Sequence, residues 1–402
     1  MKRRRVKITG IGPVTPAGIG REEFWKGILE PVSRVRIFNR LGQQYGPMVA
    51  AYLDTFNVRN YIDHSRIPKG SSRQTQFAIA AAVLALKDAG IAEDHLSTLN
   101  AAVVNGSSLM DFDGVLSSFE AIAKYGERGA KPRNIYTANT SSTPRAISTT
   151  FKLNARTIGV QSACCGGVDA IGRAAAMIAD GEVDIALCGG TEAPLVKPLM
   201  FEIRAAGLTP LTSEMAERAD RPFDLWRTTG VVSEGASYFV LEPEESPRKG
   251  YSYIEGYGSK DDEPNDLCGG LKHAINMALA DARVRPQDID AISAWGPGHI
   301  MIDAAESKTL MTVFGLNLGE IPIVSIKGAI GTPLAAAPAI QVAAAALAQR
   351  FSIIPPTVNW EHPDPSCPLN LSKVSRTVPH SLTLVDTHGL GGLNSAMILR
   401  RC

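Results

Sequence analysis

The sequence predicts an α/β protein organised as a duplicated, layered sandwich. Short β-branched or apolar runs alternate with alanine-rich helical segments along the whole chain, the pattern of strands and helices that share one core. The halves also echo each other. Segment 159–180 reads strand, sharp glycine turn, small-residue helix, and 323–349 reads the same way around SIKGAIGTPLAAAPA. Two such halves set back to back bring both turns to the centre. The polar stretch PEESPRK at 243–249 is the connector. It divides the chain into 1–245, which holds a doubled cysteine, and 246–402.

Buried strands are expected, in order, at 6–11, 101–105, 157–161, 184–188, 291–294, 323–326 and 382–386, where valine, isoleucine and leucine cluster over a few residues. Helices are expected at 75–89, 167–180, 270–282, 304–314 and 335–349. Their alanine content is high enough to place them inside, between layers. No low-complexity segment interrupts this pattern.

A chain of 402 residues with 45% hydrophobic composition has material for one large or two fused globular domains. Its 41 basic residues nearly balance its 40 acidic ones, which argues against a general nucleic-acid or membrane-surface role. The one dense basic run, MKRRRV, leads into the first strand and reads as its solvated start. No apolar run reaches the roughly 18 residues needed to span a bilayer, and no basic-then-apolar signal segment is present. A cytoplasmic location is the expectation. The six cysteines have neither regular spacing nor a C-x-x-C pair, so reduced thiols are expected rather than a disulfide framework or a zinc site.

Within QSACCGGVDA (161–170), Cys164 falls where a strand ends and a helix begins. Unpaired amides and the macrodipole at a helix N-terminus stabilise a thiolate, and glycines let backbone approach a substrate closely. The amide of the cysteine itself can face a developing oxyanion. A small buried cysteine that only fills space is the other reading, and this stretch alone leaves both open.

QSACCGGVDAIG resembles the active-site segment of the β-ketoacyl-acyl-carrier-protein synthases, the condensing enzymes of fatty-acid and polyketide synthesis, with Cys164 at the nucleophile position. The resemblance runs the length of the chain. VKITGIGPVTPAGIG is similar to the family's opening strand and loop, CGGTEA to its G-G-x-E segment, and DRPFDLWRTTGVVSEGASYFVLE to its R-P-F-D block. IPPTVNWEHPDPSCPLNL resembles its P-P-T-x-N segment and HGLGGLNSAMIL its closing glycine loop and strand. The match is to the branch of elongating synthases I and II. It implies a thiolase-like α-β-α-β-α five-layered sandwich, a dimer with itself or with another ketosynthase-like subunit, and acyl transfer from the phosphopantetheine of an acyl carrier protein to Cys164. It implies no bound cofactor and no metal.

The departures are specific. The family's N-A-H-G-T-G-T-P segment reads SAWGPGHI, placing Trp295 at the first active-site histidine. Its second histidine, in K-S-x-x-G-H-x-x-G-A-A-G, is Thr332 in KGAIGTPLAAAP. Lys327 matches the family lysine, Gln341 stands where a glutamate is usual, and Asp303 and Glu306 match acidic positions whose role is either structural or chemical. Leu390, between Gly389 and Gly391, takes the gating phenylalanine's place, and its amide is expected to pair with that of Cys164. Cys165 takes a small residue's place. His299 and His388 are either a relocated base or pantetheine contact, or plain loop histidines; His64, His95, His273, His362 and His380 have no motif context. Segment 259–268 reads a few residues short beside the substrate entrance. Arg66, Lys69, Arg73, Arg128, Lys131 and Arg133 either receive an acidic carrier protein or are scattered solvated charges.

Tryptophan and threonine donate hydrogen bonds but are not bases near neutral pH. The resemblance, with these departures, therefore implies an acyltransferase that loads Cys164 but condenses poorly or not at all. The alternatives are a non-catalytic subunit resembling chain-length factors, or a working synthase that uses Trp295 and Thr332.

Overall fold

The computed structural model describes all residues except 1–2, 43–44, 46, 93–95, 97 and 211–214; His95 lies outside the described residues. Ten strands follow one path through an eleven-stranded sheet. They are β1 (Val6–Thr15), β2 (Ala101–Gly106), β3 (Ala155–Val160), β4 (Ile185–Glu192), β5 (Gly235–Pro243), β6 (Ser252–Ser259), β7 (Ala291–Ser293), β8 (Ile323–Val324), β9 (Leu382–Gly389) and β10 (Leu393–Arg401). Five helices cover them: α1 (Arg73–Ala89), α2 (Gly166–Ala179), α3 (Gly269–Ala282), α4 (Ile300–Phe314) and α5 (Ala336–Phe351).

The path runs β8-β7-β9-β10-β6-β1-β5-β4-β2-β3. Each half uses its strands in the same order, third, second, fourth, fifth, first. In each, the third, second and fourth strands are parallel and the fifth and first antiparallel. The halves join where Val6, Lys7 and Ile8 pair with Ile254, Tyr253 and Ser252. Parallel strands buried on both faces explain why 101–105 and 184–188 read as continuous apolar runs.

Alternation along the strands sorts side chains into the layers. In β2 and β4, Ala101, Val103, Ile185 and Leu187 face α1, whereas Ala102, Val104, Ala186 and Cys188 face α2 and α5. In the second half, Val385, Met397 and Leu399 join the same central layer, while Leu384, Ala396 and Ile398 face α3 and α4. The result is α1, half-sheet, α2 with α5, half-sheet, α3 with α4: five layers. All of 336–349 is buried, so α5 is apolar on every side, as a helix walled in by two sheets must be.

The structure corrects the sequence reading in three respects. Helices α1 and α3 are alanine-rich because they lie close on one sheet face, not because they sit between layers. Strands β5 and β6 were not among the expected segments, and β10 was given only by the resemblance of HGLGGLNSAMIL to a closing loop and strand; GASYFVLEP and SYIEGYGS break their apolar run with glycine, proline or acidic residues. The expected strand at 323–326 stops at Val324, because the chain turns there into the short helix Lys327–Ile330.

A core layered this tightly resists added volume. Ala339 is fully buried in α5 against α2, so Ala339→Leu is expected to lower stability by about 1–3 kcal/mol, read as a fall in the urea midpoint with an unchanged slope.

Candidate active site

Parallel strands of both halves deliver their carboxyl ends to one place, where sites of α/β sheets form. Beyond β3, Ala163 takes φ 44°, a left-handed value unusual for alanine, and the chain turns so that Cys165 caps α2. Cys164 is held at the bend, 5% exposed. Beyond β9, the turn into β10 is formed by Leu390, Gly391 and Gly392, with φ of 90° and 85° at the glycines. It lies against the cysteine bend so closely that a Cβ on Gly389 would sit 3.2 Å from the Cys164 nitrogen.

The amides of Leu390 and of Cys164 itself lie on the thiol's side of the bend and pull its pKa down. Burial nevertheless dominates and pushes this thiol up to about 11, against the pull of those amides and of Lys327. The helix terminus alone therefore does not supply a thiolate at neutral pH. Cys165 is fully buried with Sγ 3.3 Å from the Leu393 carbonyl; it pins the closing loop and does not line the cavity.

That cavity, narrow at about 60 Å³, is lined by Cys164, Trp295, His299, Thr332, His388, Leu390 and mainly aliphatic neighbours, among them Ile203, Leu208, Val232 and Ile302. Six residues singled out from sequence, distant along the chain, thus share one wall. Trp295 follows β7, is 2% exposed, and packs with Cys164 and Ala337. Its amide donates to Glu306 Oε1 and Asp386 Oδ1, both at 2.7 Å, and the Gly296 amide donates to Glu306 Oε2 at 2.8 Å. Asp303 accepts from the Phe223 and Gly298 amides. Asp303 and Glu306 therefore hold the turn and do not reach the thiol. Burial raises Asp303 to about 7 and Asp386 to about 6, and keeps a proton on Glu306 beside Asp386.

Lys327, wholly buried, donates from Nζ to the Trp295 carbonyl at 2.9 Å and to Gln341 Oε1 at 2.8 Å, and lies 4.4 Å from the Trp295 ring centroid. Gln341 suits its place because its amide group donates to the carbonyls of Ser293, Ala294 and Asp386, which a glutamate could not do. With no glutamate there, burial lowers Lys327 to about 8, with Glu306, Asp220, Asp386 and Asp303 opposing. Thr332 donates its amide to the Val231 carbonyl at 2.7 Å, but its hydroxyl has no partner although the residue is only 8% exposed. A buried orphan hydroxyl on a cavity wall is a position for a ligand oxygen.

The two cavity histidines differ in chemistry. His299 caps α4, its Nδ1 accepting from the Met301 amide at 3.3 Å; burial and then Arg227 lower its pKa, so it is a neutral Nε2–H donor. His388 is 5% exposed with Nδ1 2.7 Å from Asn394 Oδ1. Asn394 is held in turn by Asp262, a residue of the short segment after β6. Sequence reading missed Asn394 and Asp262 as site residues. The signal was a histidine and an asparagine six apart across HGLGGLN, which the hairpin places opposite each other.

Glu192, at the end of β4, also went unassigned. It accepts from the Ser108 amide at 2.7 Å, has one oxygen unpartnered, and burial raises it to about 8. The remaining histidines lie elsewhere: His64 and His273 are exposed, His380 bonds the Val378 carbonyl and His362 stacks on Trp226. Among the described residues there is no cluster able to hold a metal ion.

The model described as "Beta-ketoacyl synthase, N-terminal domain" matches residues 3–246, and "Beta-ketoacyl synthase, C-terminal domain" matches residues 251–361. The chain belongs to the β-ketoacyl synthase family. It is 32% identical to a 3-oxoacyl-[acyl-carrier-protein] synthase 2 of Rhizobium meliloti (strain 1021), over 99% of either chain. Among solved structures, the ishigamide ketosynthase/chain length factor superposes with a TM-score of 0.91 at 29% identity over 100% of both chains. A type II PKS acyl-carrier protein in complex with its ketosynthase bound to the hexaketide gives 0.88 at 28% identity, again over 100% of both. As a β-ketoacyl synthase relative, this chain has the family's thiolase-like fold.

Burial of Glu192 has a testable consequence. Its carboxyl titrates near 8 when folded and near its ordinary, lower value when unfolded, so the unfolded chain loses its proton first and stability falls as pH rises between them. Glu192→Gln is expected to flatten stability against pH between about 5 and 8, measured by urea unfolding at several pH values.

Proposed function

We propose that this chain is a ketosynthase-like acyltransferase. It takes an acyl group from the phosphopantetheine of an acyl carrier protein onto Cys164, and passes it to an acceptor other than a malonyl-derived enolate. One observation carries the reading: Cys164 keeps two amides at its sulfur while neither histidine position of the family holds a base.

The same two amides serve an oxyanion once the thioester carbonyl is attacked. Decarboxylative condensation asks for more, since the enolate released from a malonyl group needs strong donors and a proton carrier. The Thr332 hydroxyl and the His299 Nε2–H can donate but are not bases, and Trp295, with Lys327 against its ring, carries no basic atom. Exposed Lys69, Arg128, Lys131 and Arg133 remain available to an acidic carrier protein. Arg73 does not: it is committed to Glu234 at 2.6 Å, and Arg66 is tied to the Thr150 carbonyl.

A second reading is a non-catalytic subunit that pairs with an active ketosynthase. Strand β3 favours a ketosynthase-like partner, because it is the edge of the sheet and exposed Phe119, Tyr125, Ile135 and Tyr136 lie on the segment between β2 and β3. Retained Cys164 favours the enzyme. The orphan Thr332 hydroxyl is what speaks for a working synthase.

Incubation with acyl-loaded carrier protein followed by intact mass measurement is expected to add one acyl mass to the wild type and none to Cys164→Ala. Equal labelling of both would end the acyltransferase reading. Carbon dioxide release from malonyl-carrier protein is expected to run at least about 100- to 1000-fold below that of a histidine-bearing synthase; a comparable rate would establish condensation instead.

A further inference from the structure

Resting on the acyl-transfer reading, we propose that His388 is the acid–base residue of this site. Asn394 and Asp262 hold it in the tautomer that leaves Nε2 free on the cavity it shares with Cys164.

The hydrogen bonds assign the proton. Asn394 Nδ2 donates to the Lys260 carbonyl at 3.1 Å, the Gly392 carbonyl at 2.9 Å and Asp262 Oδ1 at 2.8 Å. Those three acceptors fix the amide so that Oδ1 is the atom 2.7 Å from His388 Nδ1. A carbonyl oxygen only accepts, so Nδ1 carries the hydrogen, and in the neutral ring Nε2 holds the lone pair. The Asp262 carboxylate is itself anchored by the Cys268 and Gly270 amides and lies 3.9 Å from Nδ1. A nucleophile, a base and a group that orients the base are thus gathered in one site.

No other cavity side chain among the described residues fills this role. Protonating His299 at Nδ1 would break the cap on α4, and Trp295 and Thr332 offer no base. The groups around His388 are Asp262 from the segment after β6, Cys164 from the bend before α2 and His299 from the start of α4. Asp386 lies on the same face of β9, two residues earlier, occupied by the Trp295 amide.

In loading, Nε2 takes the thiol proton as Sγ attacks the thioester carbonyl. The intermediate's oxygen lies at the Cys164 and Leu390 amides, the bond to the pantetheine sulfur breaks, and the imidazolium returns the proton to that sulfur. In unloading, an acceptor bearing an O–H, N–H or S–H group gives its proton to Nε2 while attacking the acyl-enzyme. The carbon–Sγ bond breaks and the proton goes back to Sγ. A single base that shuttles one proton fits a heteroatom acceptor, not a carbon acid that must first lose carbon dioxide.

The test is the rate at which iodoacetamide alkylates Cys164 in the full chain from about pH 5.5 to about pH 10, read by intact mass. It is run on the wild type, His388→Gln and His388→Phe, the last keeping a ring but removing both ring nitrogens. Loading from an acyl-pantetheine thioester is followed in parallel. The wild type is expected to show a rate step near neutral pH. Both variants should lose that step and fall about 100-fold or more at pH 7, converging on the wild type as hydroxide forms the thiolate. A wild-type rate that rises only at alkaline pH overturns the proposal without any variant, as does a folded His388→Gln that keeps the neutral step. Failure of wild-type Cys164 to gain an acyl mass overturns the acyl-transfer reading instead, because alkylation reports thiolate formation alone.

Discussion

Everything at this site depends on a helix buried along all but its last two residues. Residues 336–349 lie between two half-sheets with α2 beside them, and the small side chains of both helices let the halves approach. That approach brings the ends of β3, β4, β7, β8 and β9 within one side chain's reach. A bulky residue in this layer would move the cysteine bend relative to the loop whose amide serves it, and acyl chemistry tolerates little such displacement.

Burial also sets the chemistry. Around Cys164 it holds protons on carboxyls, loosens the one from Lys327 and withholds charge from the thiol. At a thiol value near 11, about one chain in ten thousand carries the thiolate at neutral pH. Amides that stabilise an anion once formed do not make it form quickly, so the site has need of a proton acceptor. Of the polar groups on the cavity wall, most are donors.

Much of this was legible in sequence, and for identifiable reasons. Seven of the main sheet's strands announced themselves as short apolar or β-branched runs, most of them parallel strands, and four of the five helices through alanine persisting over several turns; α4 has only two alanines. Strands β5 and β6 hid because glycine and acidic residues interrupt their apolar positions. Cys164, Trp295 and Thr332 were readable because motifs fix their places. The Asn394–Asp262 support of His388 was not, since it arises from hairpin register and from a loop folding back on a helix start. Arg73 stayed open in sequence because a free surface cation and one paired with a buried carboxylate, Glu234, look alike in a string of letters.

The Trp295 ring beside Lys327 bears on how such a site can change over time. The ring, the lysine and Gln341 form a closed set: Nζ has two oxygens and an aromatic face, and Gln341 has three carbonyls for its amide. Exchanging tryptophan for histidine alone takes the aromatic face from the ammonium, and exchanging glutamine for glutamate alone sets a carboxylate against carbonyl oxygens. A change at any one of the three is therefore felt at the other two, and the set tolerates substitution as a unit rather than residue by residue.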